Sequence, residues 1–224
     1  MKLDVLYEDN HIIAINKPSG ALAQGDKTGD VPIVEDVKAY VKKKYNKPGA
    51  VYIGLPHRLN RPTSGILLFA RTSKALVRLN QMFQEKQIQK TYWAVVKDLP
   101  KKSEDTLTHY LLKNQVKNKS IAKKEAFGKA LRSELSYKLI TSSKRYFLLE
   151  VLPKTGRHHQ IRVQLSSIGC PIKGDTKYGF PRANEDKSIH LHAKKIQFIH
   201  PVSKVDICID APVPNDIVWQ ALKS

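Results

Sequence analysis

The stretch 57–71, which reads HRLNRPTSGILLFAR, constrains the fold more than any other part of the chain. Its first half brings hydrogen-bond donors, acceptors and cations close together in a segment that must turn. Its second half, 66–70, carries no polar side-chain atom and is typical of a buried strand. The stretch therefore predicts a polar loop held by a rigid strand. Taken alone, a plain surface loop that enters a core strand explains it equally well.

The charge of the chain indicates the class of partner. The formal net charge is +19, from 39 Lys and Arg against 20 Asp and Glu in 224 residues. A field of this sign favours a polyanion. An acidic membrane surface is the competing partner, but the basic residues are dispersed rather than collected on one amphipathic helix, so nucleic acid is preferred. No protein partner is predicted, and we expect a monomer.

Cysteine usage and the N-terminus indicate the compartment. Cys170 and Cys208 are the only cysteines, and their separation suggests neither a disulfide framework nor a zinc motif. The N-terminal residues include acids and no long apolar run, so no secretory signal is predicted, and no window approaches a membrane span. We expect a cytoplasmic protein with reduced thiols.

The hydrophobic patterns predict many strands and few, scattered helices in an α+β fold with a largely antiparallel or mixed sheet. A chain of this length can form one sizeable domain, or two small lobes that share a core. Expected strands lie at 3–8, 11–16, 66–70, 90–97, 132–140, 146–152, 189–201 and 205–212. Expected helices lie at 34–45, 72–87, from 155 onward and at 215–223, with loops at 23–30 and 170–179.

The segment 99–129 is rich in lysine and poor in large apolar groups. We expect a weakly ordered excursion that contains some strand. Two interpretations fit equally well, a surface that faces the nucleic acid and an ordinary solvated face.

Several standard mechanisms have no support in the sequence. GxxxxGK[ST], GxGxxG and GxSxG are all absent, so no phosphate-cradling loop or nucleophile elbow is predicted. His190 and His192 share one face of a strand, and His158 and His159 form a doublet, but neither pair has a third ligand at a sensible spacing. A metal site is therefore the minority interpretation, and no cofactor is predicted.

Six segments, read in order, resemble the pseudouridine synthases of the RluA family. They are NKPSG, HRLNRPTSGILLFAR, KTYWAVV, TGRHHQIRVQL, GCPIKGDTKYG and LHAKKIQFIHP. No single segment is decisive, but the ordered series is specific and covers nearly the whole chain. The resemblance implies a pseudouridine synthase fold with flanking helices and a basic RNA-binding cleft. It also implies a single catalytic domain over 1–224, without a separate N-terminal RNA-binding domain.

The family isomerises uridine to pseudouridine in structured RNA, either ribosomal or transfer RNA. The bond from N1 to the sugar is broken, the uracil turns, and it is rejoined through C5, so no atom is gained or lost. Such a reaction needs a carboxylate and a pocket rather than a nucleotide or metal cofactor. The target base must also leave the stack, which requires a group that holds the gap and an aromatic ring that clamps the base.

The resemblance assigns roles to individual residues. Tyr92 is similar to the aromatic residue that stacks on the flipped uracil and handles the proton at C5; without the other motifs it is equally an ordinary strand tyrosine. Arg162 is similar to the arginine that pairs with the catalytic carboxylate, and alone it would be a helix-surface cation. Arg58 is similar to the residue that enters the RNA stack, against the alternative of a plain phosphate contact. Further RNA contacts are implied at Arg61, Lys90 and Arg157. Turn and loop architecture is the interpretation of Gly20, Thr63, Ser64, Gly65, Gly156, Gly174 and Asp175.

One position departs from the family pattern. The residue after HRL is aspartate in the family and Asn60 here. An amide is a poor nucleophile and is not a base at neutral pH, so the chemistry loses its agent. Three explanations are open: a substitution introduced to remove activity, a natural member that binds RNA without isomerising it, or a relocated carboxylate. The third is the weakest, because no Asp or Glu lies between Pro56 and Arg71.

Overall fold

The computed structural model describes residues 3–25 and 29–222. The chain divides into two compact units, Met1–Lys90 with Ala193–Val213 and Thr91–His192 with Pro214–Ser224. We call them the first and the second unit.

The described residues form ten strands, four α-helices and one 3₁₀ turn. The strands are β1 (Val5–Glu8), β2 (Ile12–Lys17), β3 (Ser64–Ala70), β4 (Gln89–Val96), β5 (Glu104–Asn114), β6 (Lys119–Lys123), β7 (Leu131–Ser142), β8 (Phe147–Pro153), β9 (Leu191–Ile199) and β10 (Asp206–Asp210). The helices are α1 (Ile33–Lys44), α2 (Ser73–Gln84), α3 (Gln160–Ser167) and α4 (Ile217–Ala221), and the 3₁₀ turn is Thr176–Tyr178. No helix in the described ranges is long and apolar enough to cross a membrane.

The first unit is built on the order β1–β2–β3–β9, with β10 paired to β9. The pairs β1–β2, β2–β3 and β9–β10 are antiparallel, and all seven residues of β3 are buried, as the uninterrupted apolar run predicts. Gly65 at the start of β3 has φ +107°, and a Cβ there would lie 2.4 Å from the carbonyl oxygen of Ala193. Only glycine allows the strand to approach β9 this closely.

The turns of the first unit follow the local signals in the sequence. The Asp9 carboxylate accepts hydrogen bonds from the backbone N–H groups of His11 and Ile12, which closes the predicted β1–β2 hairpin. The hydroxyl of Thr72 accepts from the N–H of Ala75 and caps α2, as predicted. The apolar face of α2 joins strand residues in one core, which comprises Ile12, Ala14, Ile66, Leu68, Ala70, Ala75, Leu79, Met82, Ile88, Ile196, Phe198, Ile207, Ile209 and Ala211.

The second unit contains an antiparallel sheet in the order β4–β8–β7–β5–β6. Its core includes Ala94, Leu135, Leu149 and Val151 from the strands, and the predicted core residues Ile161 and Leu165 of α3. The β7–β8 hairpin confirms the turn predicted at residues 142–145.

The expectation that 99–129 is weakly ordered was wrong. The segment contains the eleven-residue strand β5 and the five-residue strand β6, which pair with each other. Leu107, His109 and Leu111 are buried at alternating positions of β5. Three inward side chains with a period of two suffice to place a strand on the sheet, even where every other position is polar.

Two helices begin later than expected. The helix expected from 155 begins at Gln160, because His159 adopts a left-handed conformation with φ 54° immediately before it. The helix expected from 215 begins at Ile217, where the Asp216 carboxylate accepts from the N–H groups of Val218 and Trp219. Its expected end at residue 223 lies outside the described residues, as do 26–28 of the expected loop.

Candidate active site

The loop 57–63 of the first unit is anchored at its start by His57. The Nε2 atom of His57 accepts a hydrogen bond of 3.0 Å from the backbone N–H of Leu68 in β3, and the ring lies 4.8 Å from that of Phe83. Burial, with the charge of Lys90, lowers the pKa of His57 to about 3. The imidazole is therefore neutral, which leaves Nε2 free to accept.

Lys17 anchors the other end of the loop. Its side chain is fully buried, and its ammonium donates to the carbonyl oxygens of Pro18 (2.9 Å), Ala21 (2.9 Å) and Arg61 (3.3 Å). Burial, with the nearby charge of Arg61, lowers the pKa of Lys17 to about 7. The backbone N–H of Gly20 also donates to the Arg61 carbonyl, at 2.8 Å. The carbonyl of Arg61, the residue after Asn60, is thus held by two donors.

Asn60 lies in the turn between these anchors. It is half-buried, and its backbone carbonyl accepts from the N–H of Thr63 at 3.0 Å. Arg58 is exposed, as an RNA contact requires. The guanidinium of Arg61 is engaged within the chain, because Nη1 lies 2.7 Å from the Asp30 carboxylate and Nε donates to the carbonyl of Gly20.

Lys90 and Tyr92 lie on β4, at the end of the first unit and the start of the second. The Lys90 ammonium lies 5.7 Å from the centre of the Phe83 ring, and burial lowers its pKa. Tyr92 is opposite Val151 of β8 and packs against the core of the second unit. Burial raises the pKa of Tyr92 to about 12, so the side chain is a neutral phenol at physiological pH.

Arg162 lies on α3 of the second unit, where its side chain is buried rather than on the helix surface. Its guanidinium forms a bidentate ion pair with Asp175, with Nε 2.6 Å from Oδ2 and Nη2 2.7 Å from Oδ1. Only 5 % of Arg162 and 1 % of Asp175 is exposed. The third nitrogen, Nη1, lies 3.1 Å from Nε2 of His159. Each of the three guanidinium nitrogens thus has a partner within the arginine's own unit.

The ion pair of Asp175 with Arg162 is a contact that the sequence interpretation missed. The sequence context of Asp175 indicates loop architecture, but both of its carboxylate oxygens bind Arg162. One signal was available, because Asp175 is the only acid between Glu150 and Glu185 and follows the buried helix that carries Arg162. A buried arginine requires a partner of opposite charge.

Arg157 of the second unit and Thr63 of the first are further polar residues that the sequence motifs single out. Arg157 is exposed at the start of TGRHHQIR, and its backbone N–H donates to the side chain of Gln160. In the first unit, the Thr63 hydroxyl is buried and makes no hydrogen bond with any described residue. Within the described ranges, no cluster of His, Cys, Asp and Glu has the geometry to hold a metal ion.

Comparison with known proteins decides the family. The model of the RNA pseudouridylate synthase family matches residues 11–167. The chain is 36% identical to the ribosomal large subunit pseudouridine synthase C of Vibrio vulnificus, over 98% of this chain and 69% of that protein. This chain belongs to the RluA-type RNA pseudouridine synthases.

Two further matches are a more distant bacterial relative and a solved structure with the same fold. The chain is 33% identical to the tRNA pseudouridine synthase C of Pectobacterium carotovorum, over 98% of this chain and 61% of that protein. The structure of human RNA Pseudouridylate Synthase Domain Containing 4 shares the fold, with a TM-score of 0.81 at 23% identity, over 98% of this chain and 93% of that one. The chain spans about two thirds of the length of its bacterial relatives.

One explanation of Asn60 is that the carboxylate has moved to another position in the chain. Among the described residues, Asp175 is the most deeply buried acid. Both of its oxygens are committed to Arg162, and it has almost no exposed surface, so it presents no free oxygen to a substrate. This arrangement argues against a relocated carboxylate at Asp175.

Proposed function

We propose that this chain carries the uridine-isomerising site of its family and binds structured RNA, ribosomal or transfer, but that Asn60 leaves the site without its nucleophile or base. One observation carries the proposal. The loop around residue 60 is fully anchored by His57 and Lys17 although its central side chain cannot do the chemistry. Burying the ammonium of Lys17 is costly unless it is hydrogen-bonded, and its three carbonyl acceptors hold the loop in shape around residue 60.

The proposed roles of the other residues follow the family pattern. Tyr92, a neutral phenol on a rigid strand, is the stacking surface for the flipped uracil. Arg162 is the cation of the site, held in place by Asp175. Arg58 and Arg157 are exposed and suit contacts with the RNA. Arg61 and Lys90 are also proposed RNA contacts. To bind RNA, Arg61 must release the Asp30 carboxylate. A phosphate must also reach the Lys90 ammonium, which is largely buried.

The second unit supplies a surface for the RNA backbone. We define the basic hairpin as β5, β6 and their connection, residues 104–123. Lysines on or beside it that form no ion pair with any described acid are Lys113, Lys117, Lys119, Lys123 and Lys177. Unpaired ammonium groups on a chain of net charge +19 favour phosphate contacts.

The remaining parts of the proposal concern the whole protein. We propose that residues 1–224 act as a single catalytic domain, that the protein is a cytoplasmic monomer, and that it needs no cofactor. An isomerisation within one nucleotide consumes no second substrate, so a carboxylate and a pocket are sufficient.

The alternative function is RNA binding without isomerisation, and Asn60 is the observation that favours it. Stacking on Tyr92 and contacts with phosphate need no carboxylate, so the chain with Asn60 should hold a uridine that it does not convert. Replacement of residue 60 distinguishes the two functions.

Asn60→Asp should produce pseudouridine where the unsubstituted chain produces none, because a carboxylate can attack the sugar or remove its proton and an amide cannot. The measurement is mass-spectrometric detection of pseudouridine in RNA from a strain lacking the gene, complemented with either chain. Asn60→Gln is the matched control, since it alters the side chain without adding a carboxylate. Equal conversion by the unsubstituted chain and by the Asn60→Asp variant would place the chemistry elsewhere. Conversion by neither, with RNA binding retained, would support the binding function.

A further inference from the structure

Tyr178, in the 3₁₀ turn that follows Asp175, lies at the centre of a hydrogen-bond network in the second unit. Its Oη atom accepts from the backbone N–H of Ser120 in β6 at 2.8 Å and lies 2.9 Å from Nδ1 of His159. His159 in turn lies 3.1 Å, through Nε2, from Nη1 of Arg162. Two hydrogen-bonded residues therefore connect the basic hairpin to the arginine of the candidate site.

The directions of these hydrogen bonds follow from the chemistry of the groups. Arg162 can only donate, so Nε2 of His159 accepts, and the proton of the neutral imidazole is on Nδ1, where it donates to Tyr178. Burial, reinforced by the charge of Arg162, lowers the pKa of His159 to about 2, which keeps the ring neutral. The left-handed backbone of His159, with φ 54°, is what presents the ring to both neighbours.

Two cations, one from each end of this connection, lie close to the ring of Tyr178. The guanidinium carbon of Arg162 lies 4.9 Å from the ring centre, and the ammonium of Lys119 on the basic hairpin lies 5.2 Å from it. Both distances are within the range of cation–π attraction. A phosphate that draws Lys119 away would therefore alter the electrostatic environment of the ring that Arg162 contacts.

The hairpin has further contacts with the same region, among them those of Gln164 on α3 with Leu107 and His109 of β5. The hydroxyl of Ser120 donates to the carbonyl of His158 at 2.6 Å, and the ammonium of Lys177 donates to the carbonyl of Asn118 at 3.2 Å. The Ser120 hydroxyl also lies 2.9 Å from Nδ1 of His158, whose ring stacks on that of His159 at 3.7 Å. Tyr178 is nevertheless the more direct link, because its hydroxyl contacts His159 by a hydrogen bond and its ring contacts Arg162 itself.

We infer that Tyr178 is a positioning residue that ties the basic hairpin to Arg162, so that an RNA phosphate backbone bound at the hairpin is sensed at the Arg162–Asp175 pair. The identity of the ligand rests on the proposed function, whereas the tie between hairpin and arginine does not. Buried networks of this kind are rigid because each group orients the next. The hairpin is therefore more than an electrostatic patch, since its position and that of the site arginine are set together.

The first test uses the protein alone. Tyr178→Phe keeps the ring against Arg162 and removes only the hydroxyl, which should shift the NMR signal of the Arg162 Nε–H and speed hydrogen exchange at the Ser120 amide by roughly fivefold or more. Tyr137→Phe is the matched control, because Tyr137 is a buried tyrosine of the same unit whose hydroxyl donates to the carbonyl of Lys102. Both variants lose one buried hydroxyl, so thermal stability alone does not separate them. The control should leave the Arg162 signal in place.

The second test adds a short uridine-containing RNA stem-loop. Saturating RNA should move the Arg162 Nε–H signal in the unsubstituted chain and in Tyr137→Phe, and should move it by less than half as far in Tyr178→Phe. If Tyr178→Phe does not fold, Lys119→Met serves instead, because it removes the hairpin's cation from the ring of Tyr178 and leaves the hydrogen bonds of the network in place. That variant should give a smaller shift of the same sign.

The outcomes separate the inference from the proposed function. An Arg162 signal that is identical in Tyr178→Phe, or in Lys119→Met where that variant is needed, and in Tyr137→Phe overturns the tie. A signal that moves in the protein alone, with no RNA binding by the unsubstituted chain, upholds the tie and refutes RNA as the ligand. A full response to RNA in Tyr178→Phe refutes the sensing step.

Discussion

The loop around Asn60 and the surroundings of Arg162 are both built around buried cations, but they hold their central residues in opposite ways. In the loop, the ammonium of Lys17 and the N–H of Gly20 bind the backbone carbonyl of Arg61, so the main chain is held and the side chain of residue 60 is not. Around Arg162, the side chain itself is held by Asp175 and His159. Main-chain anchoring tolerates a change of side chain at the anchored position, whereas side-chain anchoring does not.

This difference explains how the family fold can contain Asn60. The contacts that shape the loop come from His57, Lys17 and Gly20 and do not depend on whether residue 60 is an acid or an amide. Arg162 keeps its carboxylate partner in either case, because that partner is Asp175. Asparagine at position 60 therefore leaves no buried charge unpaired.

The largest expected effect tests the side-chain anchoring. Asp175→Asn leaves the buried guanidinium of Arg162 without a counter-charge and should lower the free energy of unfolding by about 3–5 kcal/mol. Denaturant unfolding monitored by circular dichroism measures it. Asp105→Asn is the matched control, because Asp105 pairs with Lys102 at 3.2 Å on the surface and such pairs contribute about 0–1 kcal/mol. Equal losses in the two variants would show that Arg162 does not depend on its ion pair.

How far the sequence could predict these two regions depends on the range of the interactions. The strand β3 and the cap of α2 were correctly predicted, because alternation, apolar runs and capping residues act over a few neighbours. Some strand was expected within 99–129, but the eleven-residue length of β5 was not predicted, because one of its buried positions is the polar His109.

The missed contacts of the site are tertiary. Arg162 and Asp175 are adjacent only because the turn after α3 returns the chain, and nothing within a few residues of either specifies the partner. Likewise, Lys17 reaches Arg61 across 44 positions of sequence, so a lysine in NKPSG was indistinguishable from a surface residue. The family resemblance identified the segments, and the structure identified which atoms they join.

The second expected effect tests the main-chain anchoring through pH. The pKa of Lys17 is lowered to about 7 in the folded protein from 10.5, so above pH 7 the unfolded chain binds a proton that the folded chain does not. Stability from this group therefore rises with pH between about 7 and 10, with a slope of about 1.4 kcal/mol per pH unit at most. Lys17→Met removes the titration, so the unfolding free energy of the unsubstituted chain should rise with pH relative to that of this variant.

Lys38→Met is the control for that measurement, because it removes the same kind of group from α1, where Lys38 pairs with Glu35 on the surface. Its stability should run parallel to that of the unsubstituted chain across the pH range. A Lys17→Met difference that is constant with pH would show that Lys17 keeps its proton in the folded protein, and that the loop is held by an ordinary ammonium.

The smallest expected effect is at residue 60 itself. Because the loop is anchored through its main chain and Asn60 is half-buried beside the exposed cation Arg58, Asn60→Asp should change the free energy of unfolding by no more than about 0.5 kcal/mol. The same denaturant titration measures it, with Asn60→Ala to report the packing of the side chain. A loss above about 2 kcal/mol in Asn60→Asp would place residue 60 inside the packed structure and remove the contrast with Arg162. If stability is unchanged while conversion of uridine appears, the effect of residue 60 is on the chemistry alone, because the folded loop is the same in both chains.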